Sequence, residues 1–349
     1  MNRRSFLRAG VVAGAASLAG CSGLLRTQSG FAPPVVENRP DAVYYPSHAE
    51  GMAMAGMASA GEYRVALMYS YPHRFWNVNG REVQKTAIEA EDAVHLMASV
   101  WDPETGVVVP EAGLSVELAK GDWTSEEVIY PMLSQKMGFH YGANFPLDGD
   151  GTYDVAVNVG GVSLRRTGAF EGRFGEPTSA TIPFEYTEAK RNEVSYEKFP
   201  DEGGKRDAIE PMQMEMVPNA VAPAKDELPG EIVGEGTSGD AVFLATVIRD
   251  APRLADGPYL AVSPRTPYNR MVTPAMGLAA TVTRDGETVF DGPLRATLDP
   301  TLRYHYGAPV DGLAAGDEVT LSVTMPPQVA RHEGYETAFL EMDDVSFTA

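Results

Sequence analysis

The sequence predicts an all-β protein made of two antiparallel β-sandwich domains in tandem, and three observations support this fold class. Short apolar runs with a period of two recur along the chain, for example at residues 63–69 and 153–157. Gly and Pro are abundant, with 35 and 26 copies among 349 residues, which favours many turns between short strands. No stretch sustains an apolar period of 3.6 residues, so we expect few helices.

The first twenty residues have the pattern of an export signal. Arg3 and Arg4 precede about a dozen apolar residues, a pattern typical of a signal peptide and too short to span a bilayer. The paired arginines indicate the twin-arginine route, which exports folded proteins. Residues 1–20 are therefore predicted to be a cleaved signal peptide.

Cys21 is the only cysteine, and it follows Leu-Ala-Gly as in a lipobox. We therefore expect the thiol of Cys21 to carry lipid, and residues 21–40 to form a tether; a buried free thiol is the alternative. Firm anchoring needs more than one acyl chain. The predicted location is the extracellular face of the cell membrane.

The net charge of −20 excludes some classes of function and suggests a habitat. Nucleic-acid binding requires a basic surface, so no nucleic acid is expected as a partner. With 7 Lys against 21 Arg, the acidic surface favours a halophilic source, in which salt screens the self-repulsion; an ordinary acidic exported protein is the alternative. One cysteine excludes a disulfide framework and any cysteine-cluster metal site.

Two sequence blocks recur at nearly one offset and indicate a duplication. His-Tyr-Gly-Ala occurs at residues 140–143 and again at 305–308, and a Pro-x-x-Gly-Leu block precedes each. The segment between the two repeats is charged and rich in Pro and Gly, which is typical of a linker. The predicted boundaries are a first sandwich at 41–190, a linker at 191–235 and a second, partly degenerate sandwich at 236–349.

Histidine and methionine are the residues that could carry chemistry. The chain has six His and fifteen Met, and it lacks the nucleophile elbow, the P-loop, the dinucleotide fingerprint and the zinc-protease motif. We therefore do not expect an enzyme. Thioether and imidazole ligands favour copper, whereas imidazole with carboxylate suits iron.

Several blocks resemble the periplasmic iron-transport protein family. They are Asp-Ala-Val-His-Leu-Met-Ala at 92–98, Pro-Met at 131–132, and Gly-Phe-His-Tyr-Gly-Ala-Asn at 138–144. The members are immunoglobulin-like sandwiches, often lipoproteins, that bind copper and iron and serve iron uptake beside a permease. The resemblance thus implies two immunoglobulin-like domains, a copper and/or iron ion, a membrane permease as partner, and a homodimer as one option.

The resemblance also implies the metal ligands. Met97 stands where the family has a glutamate, which makes the site softer. The family's later Arg-His is missing from the first domain, at residues 165–167, but occurs in the second at residues 331–332. Tyr259 and Thr297 stand in the second domain where His and Met would be expected, so partial sites near the seam between the domains are predicted. The implied ligands are His95, Met97, Met132, His140, His305 and His332.

Other His and Met residues are candidate accessory ligands or structural residues. His73 most simply belongs to a packed turn. The accessory candidates are His48, Met52, Met54, Met57, Met212, Met214 and Met216. The sequence thus predicts a lipid-anchored extracytoplasmic metal-binding protein of iron or copper uptake. The alternative is a surface module that binds a protein or a glycan and whose His and Met are structural.

Overall fold

Strands form nearly all the regular structure of residues 33–349, which are the residues that the computed structural model describes. The predicted signal peptide and Cys21 lie outside this range. In the described part of the chain, helix is confined to α1 (Glu188–Asn192) and two short 3₁₀ turns (Gly168–Phe170 and Lys225–Glu227). Among residues 33–349, none of the helices has the length and apolar character needed to cross a bilayer. The predicted fold class is confirmed.

The first sandwich folds one long sheet over on itself. Its main strands follow the order β12-β10-β7-β8-β9-β6-β3-β2, with antiparallel pairing throughout, and β2 packs back against β12. The long strand β8 pairs with β7 through its first half and with β9 through its second half, so it belongs to both layers. The strands of this half are β1 (His48–Glu50), β2 (Ala53–Ala60), β3 (Tyr63–Ser70), β4 (Phe75–Asn79), β5 (Glu82–Thr86), β6 (Val94–Trp101), β7 (Leu114–Lys120), β8 (Trp123–Ser134), β9 (Gly138–Phe145), β10 (Gly151–Val159), β11 (Arg165–Arg166), β12 (Thr178–Tyr186) and β13 (Tyr196–Lys198).

The second sandwich has the same strand order. Its path β22-β20-β17-β18-β19-β16-β15-β14 matches the first sandwich strand for strand, and the long β18 takes the place of β8. The strands are β14 (Glu231–Ser238), β15 (Ala241–Ile248), β16 (Tyr259–Arg265), β17 (Gly277–Arg284), β18 (Glu287–Asp299), β19 (Arg303–Pro309), β20 (Glu318–Met325), β21 (Ala330–Arg331) and β22 (Val345–Thr348).

Alternation of apolar and polar residues explains why these segments form sandwich strands. In β10, Tyr153, Val155 and Val157 are buried in the core, while the residues between them face outward. In a strand, successive side chains point to opposite faces, so a period of two places one set inside. Strand β6 is different because every residue in it is buried, so its outer face is covered as well as its inner face.

Two short strands are exchanged between the sandwiches. β21 lies between β20 and β22 in the chain, yet it pairs in parallel with β8 of the first sandwich. β11 lies between β10 and β12, and it pairs in parallel with β18 of the second sandwich. The exchange is reciprocal, so each sandwich receives a segment from the other half of the chain beside its long strand.

Strand β14 begins at Glu231, inside the segment that the sequence assigns to the linker. A Cβ atom on Gly234 would lie 2.1 Å from the ring of Phe347, and one on Gly236 would lie 2.2 Å from Val345. These glycines are therefore needed for close packing of β14 on β22. The glycines that suggest a linker in the sequence are therefore explained here by the close packing of a strand.

Candidate metal centre

Three strands of the first sandwich present a His and Met set on one face. In the antiparallel ladder Met132 of β8 lies opposite His140 of β9, and His95 of β6 lies opposite Asn144 of β9. Residues directly opposite each other in such a ladder point to the same side. The inner neighbours Leu96 and Tyr141 point into the core, so this set lies on the outer, covered face.

His332 reaches this face from the second half of the chain. Strand β21 pairs with β8 at Met132 and Leu133, and the backbone N–H of His332 donates to the carbonyl oxygen of Leu133 at 3.1 Å. The imidazole rings of His140 and His332 have their centroids 5.3 Å apart. One site therefore contains residues from both halves of the chain.

His73 completes the group, which we call the histidine cluster (His73, His95, His140 and His332). It lies in the turn after β3, and its ring centroid is 4.0 Å from that of His95 and 4.9 Å from that of His332. Ligand nitrogens of these three residues all lie within 4.8 Å of one another, and they are the one such group within residues 33–349. Two nitrogens bound to one ion lie at most about 4.2 Å apart, so small ring rotations would close the set.

Hydrogen bonds at Nδ1 fix the tautomers of two rings. His95 Nδ1 donates to Asn144 Oδ1 at 2.8 Å, and His140 Nδ1 donates to the carbonyl oxygen of Gly138 at 3.1 Å. Both acceptors are oxygen atoms without a proton, so each ring holds its proton on Nδ1 and its lone pair on Nε2. Partners of this kind orient the histidine ligands of metal sites.

Asn144 is the central orienting residue. Its amide Nδ2 donates to the carbonyl oxygen of His73 at 2.9 Å and to Asp92 Oδ2 at 3.2 Å, while its Oδ1 also accepts from the backbone N–H of His73. These bonds fix which end of the amide faces His95. A single side chain therefore positions both the β6 imidazole and the turn that carries His73.

Burial keeps the four imidazoles neutral. Loss of hydration lowers the pKa of His95 to about 3 and that of His140 to about 4. Loss of hydration, followed by repulsion from the neighbouring imidazoles, lowers the pKa of His73 and of His332 well below the usual value. Neutral imidazole is the form that binds a metal ion, so the rings can act as ligands at neutral pH without losing a proton first.

Met132 is buried beside the imidazoles. A Cβ atom on Gly142 would lie 2.7 Å from His95 Nε2 and 3.2 Å from Met132 Sδ, so both atoms border the space that this glycine leaves open. Any larger residue at position 142 would displace one of them. The thioether and the free imidazole nitrogen thus share one small volume.

Within residues 33–349, five buried ring nitrogens have no hydrogen-bond partner, and all of them belong to the histidine cluster: both nitrogens of His73 and Nε2 of His95, His140 and His332. A buried polar atom without a partner costs about 1–3 kcal/mol, and native proteins contain few of them. Their concentration at one place is the pattern of a ligand set prepared for a metal ion.

The nearby carboxylates are engaged with other groups. Glu333 pairs with Arg74 and accepts from the backbone N–H of Ser47. Asp92 accepts from Asn144 and from the backbone N–H of Glu89. The donors that remain are imidazole nitrogens and one thioether, a combination that suits copper better than iron.

Two further residues of the sequence-predicted ligand set have different surroundings. Met97 lies two residues after His95 on the same strand face, opposite Gly142, and it is buried within the hydrophobic core cluster. His305 lies in the second sandwich, where its Nε2 is 3.3 Å from the hydroxyl oxygen of Tyr259 and its Nδ1 donates to the carbonyl oxygen of Arg303. The structure therefore brings together His95, Met132, His140 and His332.

The accessory candidates have other surroundings. Both ring nitrogens of His48 are hydrogen-bonded, to Ser47 Oγ and to Glu50 Oε1. Met52, Met54 and Met57 lie at or near the edge strand β2. In the segment before β14, Met214 lines a surface groove while Met216 is exposed, and the backbone N–H of Met212 donates to the carbonyl oxygen of Lys136.

His73 is the cluster residue that the sequence analysis interprets as structural. It lies outside the strands and follows a proline, so no alternation of apolar and polar residues predicts its surroundings. The pairing of β3 with β6 places Ser70 opposite His95, which brings the turn after β3 next to the ligand strand. Knowledge of how β3 pairs with β6 would have been needed to predict that His73 lies beside His95.

Comparison with known proteins gives limited matches. Residues 226–348 match a family model described as a domain of unknown function, DUF7350. No curated protein matches. Among solved structures, a copper-bound variant of FetP from uropathogenic Escherichia coli strain F11 is 23% identical, with a TM-score of 0.31, over 39% of this chain and 97% of that one. The as-isolated FetP of the same strain is 20% identical, with a TM-score of 0.29, over 40% and 96%.

Proposed function

We propose that this protein is an extracytoplasmic copper-binding protein that holds its ion in the histidine cluster together with Met132. The observation that carries the proposal is the set of five unpartnered, buried ring nitrogens. An imidazole offers one nitrogen to a given ion, so a bound ion could satisfy one nitrogen of each ring without rearrangement of the strands, while the second nitrogen of His73 would keep its proton. Binding is reversible and involves no bond-making chemistry, so the protein acts as a carrier and not as an enzyme.

The biological setting of the proposal comes from the sequence. The twin-arginine signal and the lipidated Cys21 would retain the carrier at the outer face of the membrane. A permease in the same membrane would receive the ion, in copper or iron uptake. Copper is the preferred cargo because the donor set lacks a free carboxylate and includes a thioether.

Metal binding by a double histidine variant tests the proposal. The purified protein is titrated under anaerobic conditions with Cu(I), Cu(II), Fe(II) and Zn(II), and bound metal is measured by mass spectrometry. We expect one tightly held copper ion per chain, and its loss in the double variant His95→Asn/His140→Asn. Asn can retain the hydrogen bond made by Nδ1 while it removes Nε2, so the strands should keep their positions.

The matched control is His305→Asn in the second sandwich. His305 is also fully buried and also donates from Nδ1 to a backbone carbonyl, so this variant imposes a similar packing change away from the cluster. Undiminished copper uptake by the double variant would refute the site. Absence of tight binding to any of the four ions would refute the function and favour the alternative, a surface module that binds a protein or a glycan.

A further inference from the structure

A row of three methionines crosses the first sandwich and ends beside the histidine cluster. In the strand registers Met54 of β2 lies opposite Met68 of β3, and Met68 lies opposite Met97 of β6. Met97 in turn lies opposite Gly142 of β9. Directly opposed residues have their Cβ atoms about 4.5–5.5 Å apart on one face, so neighbouring thioethers in this row can contact each other.

The two ends of the row differ in their access to solvent. Met54 is 41% exposed on the edge strand, whereas Met68 and Met97 are 0% and 3% exposed. At the inner end, the space left open by Gly142 is bordered by His95 Nε2 and Met132 Sδ. The row therefore connects the surface to the ligand set through side chains of one chemical type.

The equivalent row of the second sandwich contains no sulfur. There Ile232 of β14 lies opposite Thr246 of β15, Thr246 lies opposite Ala261 of β16, and Ala261 lies opposite Gly307 of β19. The same positions thus tolerate ordinary apolar and small residues. Methionine occurs in all three positions only in the sandwich that also holds the cluster, so the shared strand order itself does not require it.

We propose that Met54, Met68 and Met97 bind monovalent copper and pass it from the exposed edge strand to the histidine cluster. This proposal rests on the proposed function, because the histidine cluster is the site that receives the ion. Thioether sulfur is a soft ligand that selects Cu(I), and methionine has an unbranched, adaptable side chain. Adjacent thioethers can therefore hold the ion in turn while the β-strands stay in place.

Methionine methyl NMR with Ag(I), a redox-inert stand-in for Cu(I), tests binding by the row. The protein is labelled with ¹³C at the methionine methyl groups and titrated in wild-type form and as His95→Asn/His140→Asn. We expect the methyl signals of Met54, Met68 and Met97 to shift in both proteins, while that of Met276, a buried methionine of the second sandwich, stays in place. Unmoved signals of Met68 and Met97 would overturn the proposal.

A kinetic experiment tests passage along the row. Cu(I) is transferred from a chelate to the protein, and loading is followed by stopped flow in Met68→Leu and in the control Met276→Leu. Because Leu for Met is a volume-conserving change, both variants should fold. We expect Met68→Leu to slow loading roughly tenfold, a rise in the barrier of about 1.4 kcal/mol, with final stoichiometry unchanged. Equal loading rates in the two variants would overturn the proposed passage.

The two proposals fail in different ways. If the cluster takes up no copper but the row signals shift with Ag(I), the copper-carrier function is wrong and the thioether site stands. If the cluster loads copper while the row signals stay in place, the function stands and the row is structural.

Discussion

The two sandwiches share a strand order but differ in the side chains at one equivalent location, where β21 pairs with β8 in the first sandwich and β11 pairs with β18 in the second. In the first sandwich this location holds ligand donors, and in the second it holds groups that are already bonded to each other. The corresponding pairs, first sandwich before second, are His95 and Tyr259, Met132 and Thr297, His140 and His305, and His332 and Thr167.

The backbone is conserved between the two locations while the chemistry is not. The N–H of His332 donates to Leu133 at 3.1 Å, and the N–H of Thr167 donates to Leu298 at the same distance. In the second sandwich, however, the Tyr259 hydroxyl lies at Nε2 of His305, and Thr167 Oγ1 donates to Asp299. Under the proposed function, a shared fold would carry a metal centre only where side chains leave their nitrogens unsatisfied.

Two arginine side chains lie beside the second location. The guanidinium of Arg165 lies 5.4 Å from the centre of the Tyr259 ring, and Arg253 pairs with the buried Asp299 at 2.9 Å. In the first sandwich the residue that corresponds to Arg165 is Ala330, which packs with Met132 and Phe75. Like charges repel, so the Arg165 guanidinium opposes the entry of an ion, whereas the charge of Arg253 is offset by Asp299.

The largest effect should come from His332→Thr, which copies the second location into the first. Thr at this position removes the one ligand that the other half of the chain contributes, so we expect loss of tight copper binding with the fold retained. Copper affinity by competition with a chelator measures the effect. The control is His48→Gln, at a buried histidine whose ring nitrogens are both hydrogen-bonded. Wild-type affinity in His332→Thr would mean that the site belongs to one sandwich alone.

A smaller loss is expected from Asn144→Ala. Asn144 orients His95 and the turn of His73, whereas Pro309 occupies the corresponding position opposite Tyr259. Removal of a residue that orients metal ligands typically costs roughly 10- to 100-fold in affinity. We therefore expect a weaker site with unchanged stoichiometry, measured by the same competition. Asn158→Ala, in β10 of the same sandwich, should bind like wild type; equal affinity in both variants would remove the orienting role.

The comparison also shows what sequence patterns can and cannot predict. Alternation along the chain predicts strands such as β3, β10 and β12, because a half-buried strand imposes a period of two. The resemblance to the periplasmic iron-transport proteins implies that His95 and His140 are ligands and that partial sites lie near the seam. The motif at 331–332 identifies His332, but only the parallel pairing of β21 with β8 places it in the first sandwich.

Features that run across strands leave no trace along the chain. The opposition of Met54, Met68 and Met97 depends on two registers, and the three residues have no common spacing in sequence. His73 is likewise defined by its neighbour on another strand. Such arrangements require the sheet, because cross-strand distances are set by hydrogen bonding between segments that are distant in sequence.

The smallest effect concerns pH and should make the two locations behave alike. Burial lowers the pKa of His140 and that of His305 to about 4, against an ordinary value of 6.5. Below pH 6.5 the unfolded chain therefore binds protons that the folded chain does not. The stability contributed by each neutral ring is present above pH 6.5 and is lost as pH falls toward 4.

Urea unfolding of the metal-free protein at pH 7 and pH 5.5 measures this loss. Each buried ring should steepen the fall in unfolding free energy by at most about 1.4 kcal/mol per pH unit, so His140→Asn and His305→Asn should each flatten it by a similar amount. Differences from wild type isolate the histidines because the carboxylates are common to all three proteins. A flattening confined to one variant would show that the two rings are unequally buried. Equal flattening with unequal copper binding would separate burial, which both locations share, from ligand geometry, which only the first possesses.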